Sequence, residues 1–211
     1  MSSDIAPIRI LSVDDHPLVR QGIVGLVAVQ PDMGVVAEAS NGREAIQQFR
    51  AHRPDITLMD LQMPEMSGLD ALIAIRGEFP EARIIVLTTY RGDVQVLRAL
   101  KAGARGYLLK DTLHRELLET IRAVHAGKKS VSAEVSFQLA EHATDDALTP
   151  AEIRVLRLIA AGFANKEIAA QLSLSEETVK GQVRNILSKL DAKDRTHAVT
   201  IGLKRGIIDL E

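Results

Sequence analysis

Short apolar runs alternate with amphipathic stretches through the first 126 residues of the chain. Five runs rich in β-branched residues predict strands at 8–13, 35–39, 56–59, 83–88 and 106–109. Segments with apolar residues at helical spacing predict helices at about 18–29, 42–52, 69–78, 93–102 and 113–126. Strands that are apolar on both faces and alternate with helices form parallel sheets covered by helices on each side. We therefore predict an α/β fold with a five-stranded, doubly wound parallel sheet.

The pattern changes after Gly127. The residues that follow show only one weak helical stretch, at about 133–142, and are interpreted as a linker. From Thr149 onward only helical periods occur, four in all, and the run Thr149-Pro150-Ala151-Glu152 is a typical capped helix start. The predicted division is 1–126, 127–147 and 148–211 for the α/β domain, the linker and an all-α four-helix domain.

The composition narrows the functional classes. Of 211 residues, 46% are hydrophobic and 26% are charged, which is typical of globular chains and excludes a disordered or fibrous protein. The absence of cysteine excludes disulfides, zinc thiolate sites and thiol catalysis, and suits the cytoplasm. The start of the chain lacks a basic stretch followed by an apolar one, and the longest clean apolar run, 23–29, is interrupted by Gly25. We expect a cytoplasmic protein with no membrane partner.

The net charge of −2 is distributed unevenly. Residues 1–148 carry 16 Lys and Arg against 20 Asp and Glu, whereas residues 149–211 carry 10 against 8. A polyanion such as nucleic acid would therefore bind the helical domain, which is modestly basic.

Acidic residues occupy the ends of two predicted strands. Asp14 and Asp15 come directly after the first strand, and Asp60 comes directly after the third. The carboxyl ends of parallel strands meet at one edge of the sheet, where ligands bind. Three carboxylates at this edge repel one another unless a cation lies between them, and an all-oxygen site suits Mg²⁺. The sequence therefore predicts a magnesium site.

A hydroxyl and an ammonium group are predicted at the same edge. Thr88 ends the fourth strand and Lys110 follows the fifth. A carboxylate nucleophile beside Mg²⁺, with a lysine and a hydroxyl to hold phosphoryl oxygens, is suited to phosphoryl transfer onto aspartate. Each of these residues alone has an ordinary structural explanation, such as a loop cap, a turn former or a surface charge. Their coincidence at the ends of successive strands favours the functional interpretation.

Four segments, VDDHPLVR, DITLMDLQMPEMSGLDAL, IIVLTTY and GARGYLLK, resemble the signature segments of two-component receiver domains, and the likeness covers residues 8–125. The resemblance implies that Asp60 accepts a phosphoryl group from a sensor histidine kinase. It also implies that Asp15 binds Mg²⁺ directly, that Asp14 holds the ion through water or positions it, and that the backbone carbonyl of Gln62 is a further ligand.

The same resemblance assigns the other polar residues of this edge. Thr88 and Lys110 match the residues that contact the phosphoryl oxygens. Tyr107 matches an aromatic residue that turns inward on activation, although a half-buried strand tyrosine explains this position equally well. Asp111 follows Lys110 where many receivers carry proline.

A helix-turn-helix is predicted in the helical domain, with helices at 165–172 and 176–190 joined by Ser173-Leu174-Ser175. One stripe of the second helix is apolar, consisting of Val179, Val183, Ile186, Leu187 and Leu190. The opposite face carries Glu177, Lys180, Gly181, Arg184, Asn185 and Ser188. Lys180 and Arg184 are candidates to read guanine in a major groove, and Lys166 and Thr178 are candidates to contact phosphates. On composition alone, an ordinary solvated helix face is the favoured explanation of these two basic residues.

The segment LTPAEIRVLRLIAAGFANKEIAAQLSLSEETVKGQVRNILSKL resembles the DNA-binding domain of LuxR-type regulators. Together with a receiver, this is the arrangement of the NarL/FixJ response regulators, and it implies double-stranded DNA as a partner. The pair Gly181-Gln182 departs from the larger apolar residue and the histidine that are common there. A glycine inside a helix costs about 1 kcal/mol relative to alanine, so this position is either shaped for close approach to DNA or is simply a weak point.

The leading hypothesis is a non-enzymatic transcription factor in which phosphorylation of Asp60 switches homodimerisation and DNA binding. One alternative is a constitutive DNA-binding regulator whose receiver acts without phosphorylation. Another is an aspartate-dependent phosphohydrolase, which needs a carboxylate two residues after the nucleophile, where this chain has Gln62.

Overall fold

The structure is a computed structural model that describes residues 6–89, 93–131 and 147–208. The chain forms two compact units, an α/β unit and a helical unit, and each is described by itself. Within the described residues, no helix combines the length and hydropathy needed to cross a bilayer.

The α/β unit contains a parallel sheet with strand order β2-β1-β3-β4-β5-β6. Its strands are β1 (Ile8–Val13), β2 (Met33–Ala39), β3 (Ile56–Asp60), β4 (Ile84–Thr88), β5 (Gly106–Leu109) and β6 (Ser130–Val131). Its helices are α1 (Pro17–Ala28), α2 (Gly42–His52), α3 (Gly68–Glu78), α4 (Asp93–Lys101) and α5 (Leu113–His125), and a short 3-10 helix at Lys110–Thr112 precedes α5. The predicted fold class is confirmed.

The central strands are buried on both faces, which explains why they are apolar without alternation. Ile10, Leu58 and Ile85 belong to a cluster with the inner residues of α1 and α5. The neighbouring residues Leu11 and Met59 point to the other face, because side chains alternate along a strand. Each fully buried aliphatic side chain stabilises the fold by about 1.5–3 kcal/mol, so this double layer fixes the strand order that brings the strand ends together.

The sequence predicted five strands, and the structure adds β6. Gly127, with a φ of 85°, turns the chain after α5, and the Ser130 N–H donates to the Arg105 carbonyl at 3.0 Å. A strand of two residues has no measurable period, so the pattern of hydrophobic residues gave no signal for it. The weak helical stretch predicted at 133–142 lies outside the described residues.

The helical unit contains α6 (Pro150–Ala160), α7 (Asn165–Leu172), α8 (Glu176–Lys189) and α9 (Arg195–Lys204). The predicted capping box is present, because Thr149 and Glu152 exchange hydrogen bonds at the start of α6. Ser175 caps α8 by accepting from the Thr178 N–H at 3.0 Å, and Ser173 ends α7 in the left-handed region. These features form the predicted tight joint between α7 and α8.

A partly buried ion pair joins two helices of this unit. Glu152 Oε2 accepts from the Thr149 N–H at 2.7 Å and lies 2.9 Å from Lys189 Nζ, so the start of α6 is tied to the end of α8. Burial alone would raise the pKa of Glu152, but the hydrogen bonds from Thr149 and Lys189 outweigh it and hold the pKa below its ordinary value. The orientation of α8 therefore depends on a contact between residues 37 positions apart.

Candidate metal centre and nucleic-acid interface

The predicted pocket residues occupy the carboxyl edge of the sheet. Asp14 and Asp15 directly follow β1, Asp60 and Thr88 end β3 and β4, and Lys110 directly follows β5. The exposed fractions of Asp14, Asp60 and Thr88 are 0%, 3% and 1%. Charged and polar groups are costly to bury unless they are paired, so this cluster requires a specific balance of charge.

Lys110 bridges two of the carboxylates. Its Nζ lies 2.7 Å from Asp14 Oδ2 and 2.8 Å from Asp60 Oδ2, although the two residues that it joins are 46 positions apart in sequence. Burial alone would lower the pKa of Lys110, but its contacts with Asp14 and Asp60 outweigh that effect and raise the pKa. The ammonium group is therefore held in its charged form between the two carboxylates.

At Asp60, in contrast to Lys110, burial outweighs the contacts with oppositely charged and polar groups. Burial is the largest influence and raises the pKa of Asp60, and the negative charge of Asp14 adds to the rise. The hydrogen bond from Lys110 and the Gln62 N–H, which donates to Asp60 Oδ1 at 3.3 Å, act in the other direction. An additional cation placed beside this carboxylate would therefore stabilise its ionised form.

The donor set fits a divalent cation. Asp14, Asp15, His16 and Asp60 each offer a ligand atom, and these atoms all lie within 4.8 Å of one another. Asp14 Oδ2 and Asp15 Oδ1 are buried and lack a hydrogen bond of regular geometry among the described residues. Lys110 Nζ lies 2.7 Å from the first of these oxygens, and His16 Nδ1 lies 2.8 Å from the second. Three carboxylates facing a single lysine leave an excess of negative charge. Oxygen ligands of this kind suit Mg²⁺.

Thr88 and Tyr107 are coupled on adjacent strands. Thr88 lies one residue beyond Leu87, which pairs with Asp60, so its hydroxyl group belongs to the same edge as the carboxylate. Tyr107 is completely buried rather than half-buried, and its hydroxyl shares a hydrogen bond with Thr88. Burial is the main reason why the pKa of Tyr107 lies far above its ordinary value. The tyrosine is therefore neutral, and its hydroxyl faces Thr88.

Two residues that the sequence analysis did not single out shape the pocket. A Cβ on Gly68 would lie 1.7 Å from the Asp60 carbonyl oxygen, and the Gly68 N–H donates to the Leu61 carbonyl at 3.0 Å. Arg20 donates to the Asp14 carbonyl at 2.5 Å and pairs with Glu38 at 3.4 Å. The glycine allows α3 to begin against the end of β3, and its position directly after the helix cap Ser67 is the only signal that the sequence offered.

The predicted DNA-reading face of α8 is exposed. Lys180, Arg184 and Asn185 are exposed, Gly181 is half-exposed, and Lys166 and Thr178 are exposed nearby in the chain on α7 and at the start of α8. The opposite stripe is packed, with Val179, Ile186 and Leu190 buried and Val183 and Leu187 partly buried. The helix therefore has one structural face and one face available to a partner.

Lys180 and Thr178 already have local partners. Lys180 Nζ lies 3.1 Å from Glu176 Oε1, one helical turn away, and this contact raises the pKa of Lys180. The Thr178 hydroxyl lies 2.7 Å from the Ser175 hydroxyl. A bound polyanion would compete with Glu176 for the lysine.

Gly181 has no packing role among the residues that the structure describes. A Cβ at this position would meet no other atom within 4 Å. The fold therefore does not require a glycine here, which leaves close approach by a partner or a local weakness as its two explanations.

Comparisons with known proteins match both units. Residues 10–122 match the family described as "Response regulator receiver domain", and residues 146–201 match "Bacterial regulatory proteins, luxR family". The response regulator protein VraR of Staphylococcus saprophyticus is 38% identical over 96% of this chain and 99% of its own length. The nitrate/nitrite response regulator protein homolog of Haemophilus influenzae is 42% identical over 92% of this chain and 95% of its own length.

A solved structure is similar to this chain over most of its length. It contains RcsB of Salmonella enterica serovar Typhimurium, bound to the promoter P1flhDC in the presence of phosphomimetic BeF3-. The TM-score is 0.73 and the identity is 29%, over 92% of this chain and 97% of that one.

Proposed function

We propose that Asp60 is the phosphoacceptor that switches this protein, since the chain belongs to the LuxR-type response regulators and is a DNA-binding response regulator. The observation that carries the proposal is the buried triad in which Lys110 Nζ lies 2.7 Å from Asp14 and 2.8 Å from Asp60. A cation fixed beside a buried carboxylate is ready to stabilise incoming negative charge without reorganisation of water.

The proposed donor is the phosphohistidine of a sensor histidine kinase. An Asp60 carboxylate oxygen attacks the phosphorus, a P–O bond forms as the P–N bond breaks, and the leaving imidazole nitrogen takes up a proton. The product is an aspartyl phosphate, with additional negative charge at the pocket. The Lys110 ammonium and the Thr88 hydroxyl contact its oxygens.

The proposed ligands for Mg²⁺ are the carboxylates of Asp14, Asp15 and Asp60 and the backbone carbonyl of Gln62. When it is bound, the ion offsets negative charge on the reacting oxygens. Arg20 is a positioning residue in this scheme, because its hydrogen bond to the Asp14 carbonyl fixes the loop that carries the first two carboxylates.

The switch follows from the hydrogen bond between Thr88 and Tyr107. When the Thr88 hydroxyl moves toward the phosphoryl group, it loses its hydrogen bond with Tyr107 and gains one with a phosphoryl oxygen. Tyr107 then repacks at the ends of β4 and β5. Packed interfaces of this kind have discrete arrangements rather than a continuous range. We infer that the phosphorylated arrangement favours a homodimer, in which two helical domains bind half-sites about one DNA turn apart and gain affinity together.

The proposed DNA contacts follow from the exposed face of α8. Lys180, Gly181, Arg184 and Asn185 approach the base edges, and Lys166 and Thr178 hold phosphates. Arg184 is the strongest candidate for sequence reading, because a guanidinium can donate two hydrogen bonds to guanine.

The remaining assignments are also proposals. We propose a cytoplasmic location, where DNA and the phosphorylating domain of a kinase are both accessible. We propose the boundaries 1–126 for the receiver, 127–147 for the linker and 148–211 for the DNA-binding domain. Within the proposed linker, residues 130–131 pair with β5 at the edge of the sheet. Turnover of a separate phosphate ester is not proposed, because the Gln62 amide cannot act as an acid or a base.

The test measures DNA affinity with and without acetyl phosphate and Mg²⁺. We expect acetyl phosphate to raise the affinity of the wild-type protein and of Glu81→Gln, an exposed control before β4, and to leave Asp60→Asn unchanged. A wild-type protein that binds DNA equally well in both conditions would be a constitutive regulator. A response that survives in Asp60→Asn would reject Asp60 as the phosphoacceptor.

A further inference from the structure

His16 lies at the mouth of the acidic pocket and has no role in the proposed phosphoryl transfer. Its side chain is 66% exposed, and its Nδ1 lies 2.8 Å from Asp15 Oδ1 and 3.3 Å from Asp14 Oδ1. It is also a member of the group whose ligand atoms all lie within 4.8 Å of one another. An imidazole is the commonest metal ligand in proteins, so its presence among three carboxylates changes the chemistry of the site.

The spacing of these atoms fits shared coordination. Two ligand atoms at right angles around an ion, each bonded at about 2.1 Å, are about 3.0 Å apart. The two separations from His16 Nδ1, 2.8 and 3.3 Å, lie on either side of this value. An ion among these atoms would therefore require small adjustments of side chains already in place.

The Lys110 and His16 side chains lie nearest to different carboxylate oxygens. Lys110 contacts Oδ2 of Asp14 and of Asp60, whereas His16 is nearest to Oδ1 of Asp14 and of Asp15. A cation that recruits His16 therefore does not have to take the oxygens that Lys110 contacts. The pocket has a lysine side and a histidine side.

The backbone fixes His16 on that side of the pocket. Its N–H donates to Asp14 Oδ1 at 2.9 Å, and Pro17 begins α1 directly after it. The backbone that carries the ring is thus held in place, and little backbone entropy remains to be lost when the ring binds an ion.

We propose that His16 is a fourth ligand that lets this pocket bind a nitrogen-preferring divalent cation, such as Co²⁺ or Zn²⁺, in addition to Mg²⁺. The inference rests on the proposed function, because both kinds of ion share Asp14, Asp15 and Asp60. Imidazole binds Co²⁺ and Zn²⁺ strongly, whereas Mg²⁺ prefers oxygen and keeps several water molecules. His16 therefore adds affinity for the first class and little for the second, and ions of the first class compete with Mg²⁺ at the phosphoacceptor.

The test measures the binding of Co²⁺ and of Mg²⁺ separately, by calorimetry, to the full untagged chain. We expect His16→Ala to lower the affinity for Co²⁺ by about tenfold or more and to leave the affinity for Mg²⁺ unchanged. The matched control is His114→Asn, an exposed histidine at the start of α5, which should bind both ions as the wild type does. His16 is exposed, so its replacement leaves the fold intact.

A second measurement locates the ion directly. Zn²⁺ should shift the imidazole NMR signals of His16 and leave those of His114 in place. Equal Co²⁺ affinity of His16→Ala and the wild type, or Zn²⁺ shifts at His114 rather than His16, would overturn the inference and leave the magnesium proposal standing. Failure of the wild type to bind Mg²⁺ at all would instead contradict the proposed function.

Discussion

The receiver pocket and the exposed face of α8 use polar residues in opposite ways. In the pocket, buried or partly buried side chains come from four strand ends, and Lys110 pairs with two of the carboxylates. On α8, residues such as Arg184 and Asn185 lie on one face of a single helix and are exposed. A pocket is specified by the fold around it, whereas a recognition surface is specified largely by the molecule that it binds. The two regions should therefore respond differently to substitution.

The largest expected effect is at Gly68, where the fold tolerates no side chain. Gly68→Ala places a Cβ 1.7 Å from the Asp60 carbonyl oxygen, so the backbone at the end of β3 must shift. We expect the free energy of unfolding of the receiver to fall by about 3 kcal/mol, the upper part of the range for overpacking. Both tyrosines lie in the first 126 residues, so tyrosine fluorescence during urea unfolding reports this domain.

The control for Gly68 lies on the same helix. A Cβ at the exposed Gly77 meets nothing within 4 Å, so Gly77→Ala should preserve the receiver or stabilise it by up to about 1 kcal/mol. Equal stability of the two variants would show that the contact between α3 and the end of β3 is not as close as described.

The second expected effect is at the ion pair that supports α8. Lys189→Met removes the ammonium that lies 2.9 Å from the buried Glu152, and we expect the DNA-binding domain to lose about 2 kcal/mol. Lys204→Met, an exposed control on α9, should have almost no effect. Helical circular dichroism during thermal unfolding measures both, and equal melting temperatures would contradict this account of the pair.

The same pair makes the helical domain sensitive to acid. The pKa of Glu152 is lowered in the folded state, so its contribution to stability is present above the ordinary carboxyl pKa. That contribution is lost as the pH falls through the lowered folded-state pKa. We therefore expect Glu152→Gln to flatten the acid limb of the stability profile of this domain, and an unchanged profile would assign the acid sensitivity to other carboxyl groups.

The third prediction divides the DNA contacts by type. Arg184→Ala should cost about 1.5 kcal/mol in the preference for a selected site over unrelated DNA. Lys166→Ala should weaken binding to both DNAs alike and reduce the salt dependence of affinity by about one counterion. Fluorescence anisotropy across a salt series measures both quantities. Identical behaviour of the two variants would contradict the proposed orientation of α8.

The smallest expected effect is at Gly181, and it separates the two explanations for this residue. Gly181→Ala should stabilise the DNA-binding domain by up to about 1 kcal/mol, because the new methyl group meets nothing within 4 Å in the part of the chain that the structure describes. If DNA approaches the backbone closely here, the same variant should bind DNA less tightly. A stabilised variant with unchanged affinity would identify the glycine as a weak point only.

The sequence predicted the residues of the pocket better than the packing contacts that hold the two domains in shape, for a physical reason. Asp14, Asp60 and Lys110 follow apolar strands, and the parallel topology brings strand ends together whatever the details of packing. Gly68 was not identified because its role is a close approach between two segments, and its place after Ser67 marks only the start of a helix. The pair of Glu152 and Lys189 was missed for the same reason, although the capping role of Glu152 was predicted.

The other features that the sequence analysis missed are also contacts between residues, which the spacing of hydrophobic residues does not reveal. β6 pairs two residues with the sheet edge, which is too short for a pattern. The pair between Lys180 and Glu176 was accessible from sequence, because oppositely charged residues four apart on a helix are neighbours.

The central claim is that the buried carboxylate of Asp60, paired with Lys110, carries the phosphoryl group. The most direct test treats the wild-type protein with acetyl phosphate and Mg²⁺, traps the acyl phosphate with borohydride, and maps the modified residue by mass spectrometry. The account predicts modification at Asp60 alone, and none after Asp60→Asn. A wild-type protein that is modified at another residue, or not at all, would contradict it.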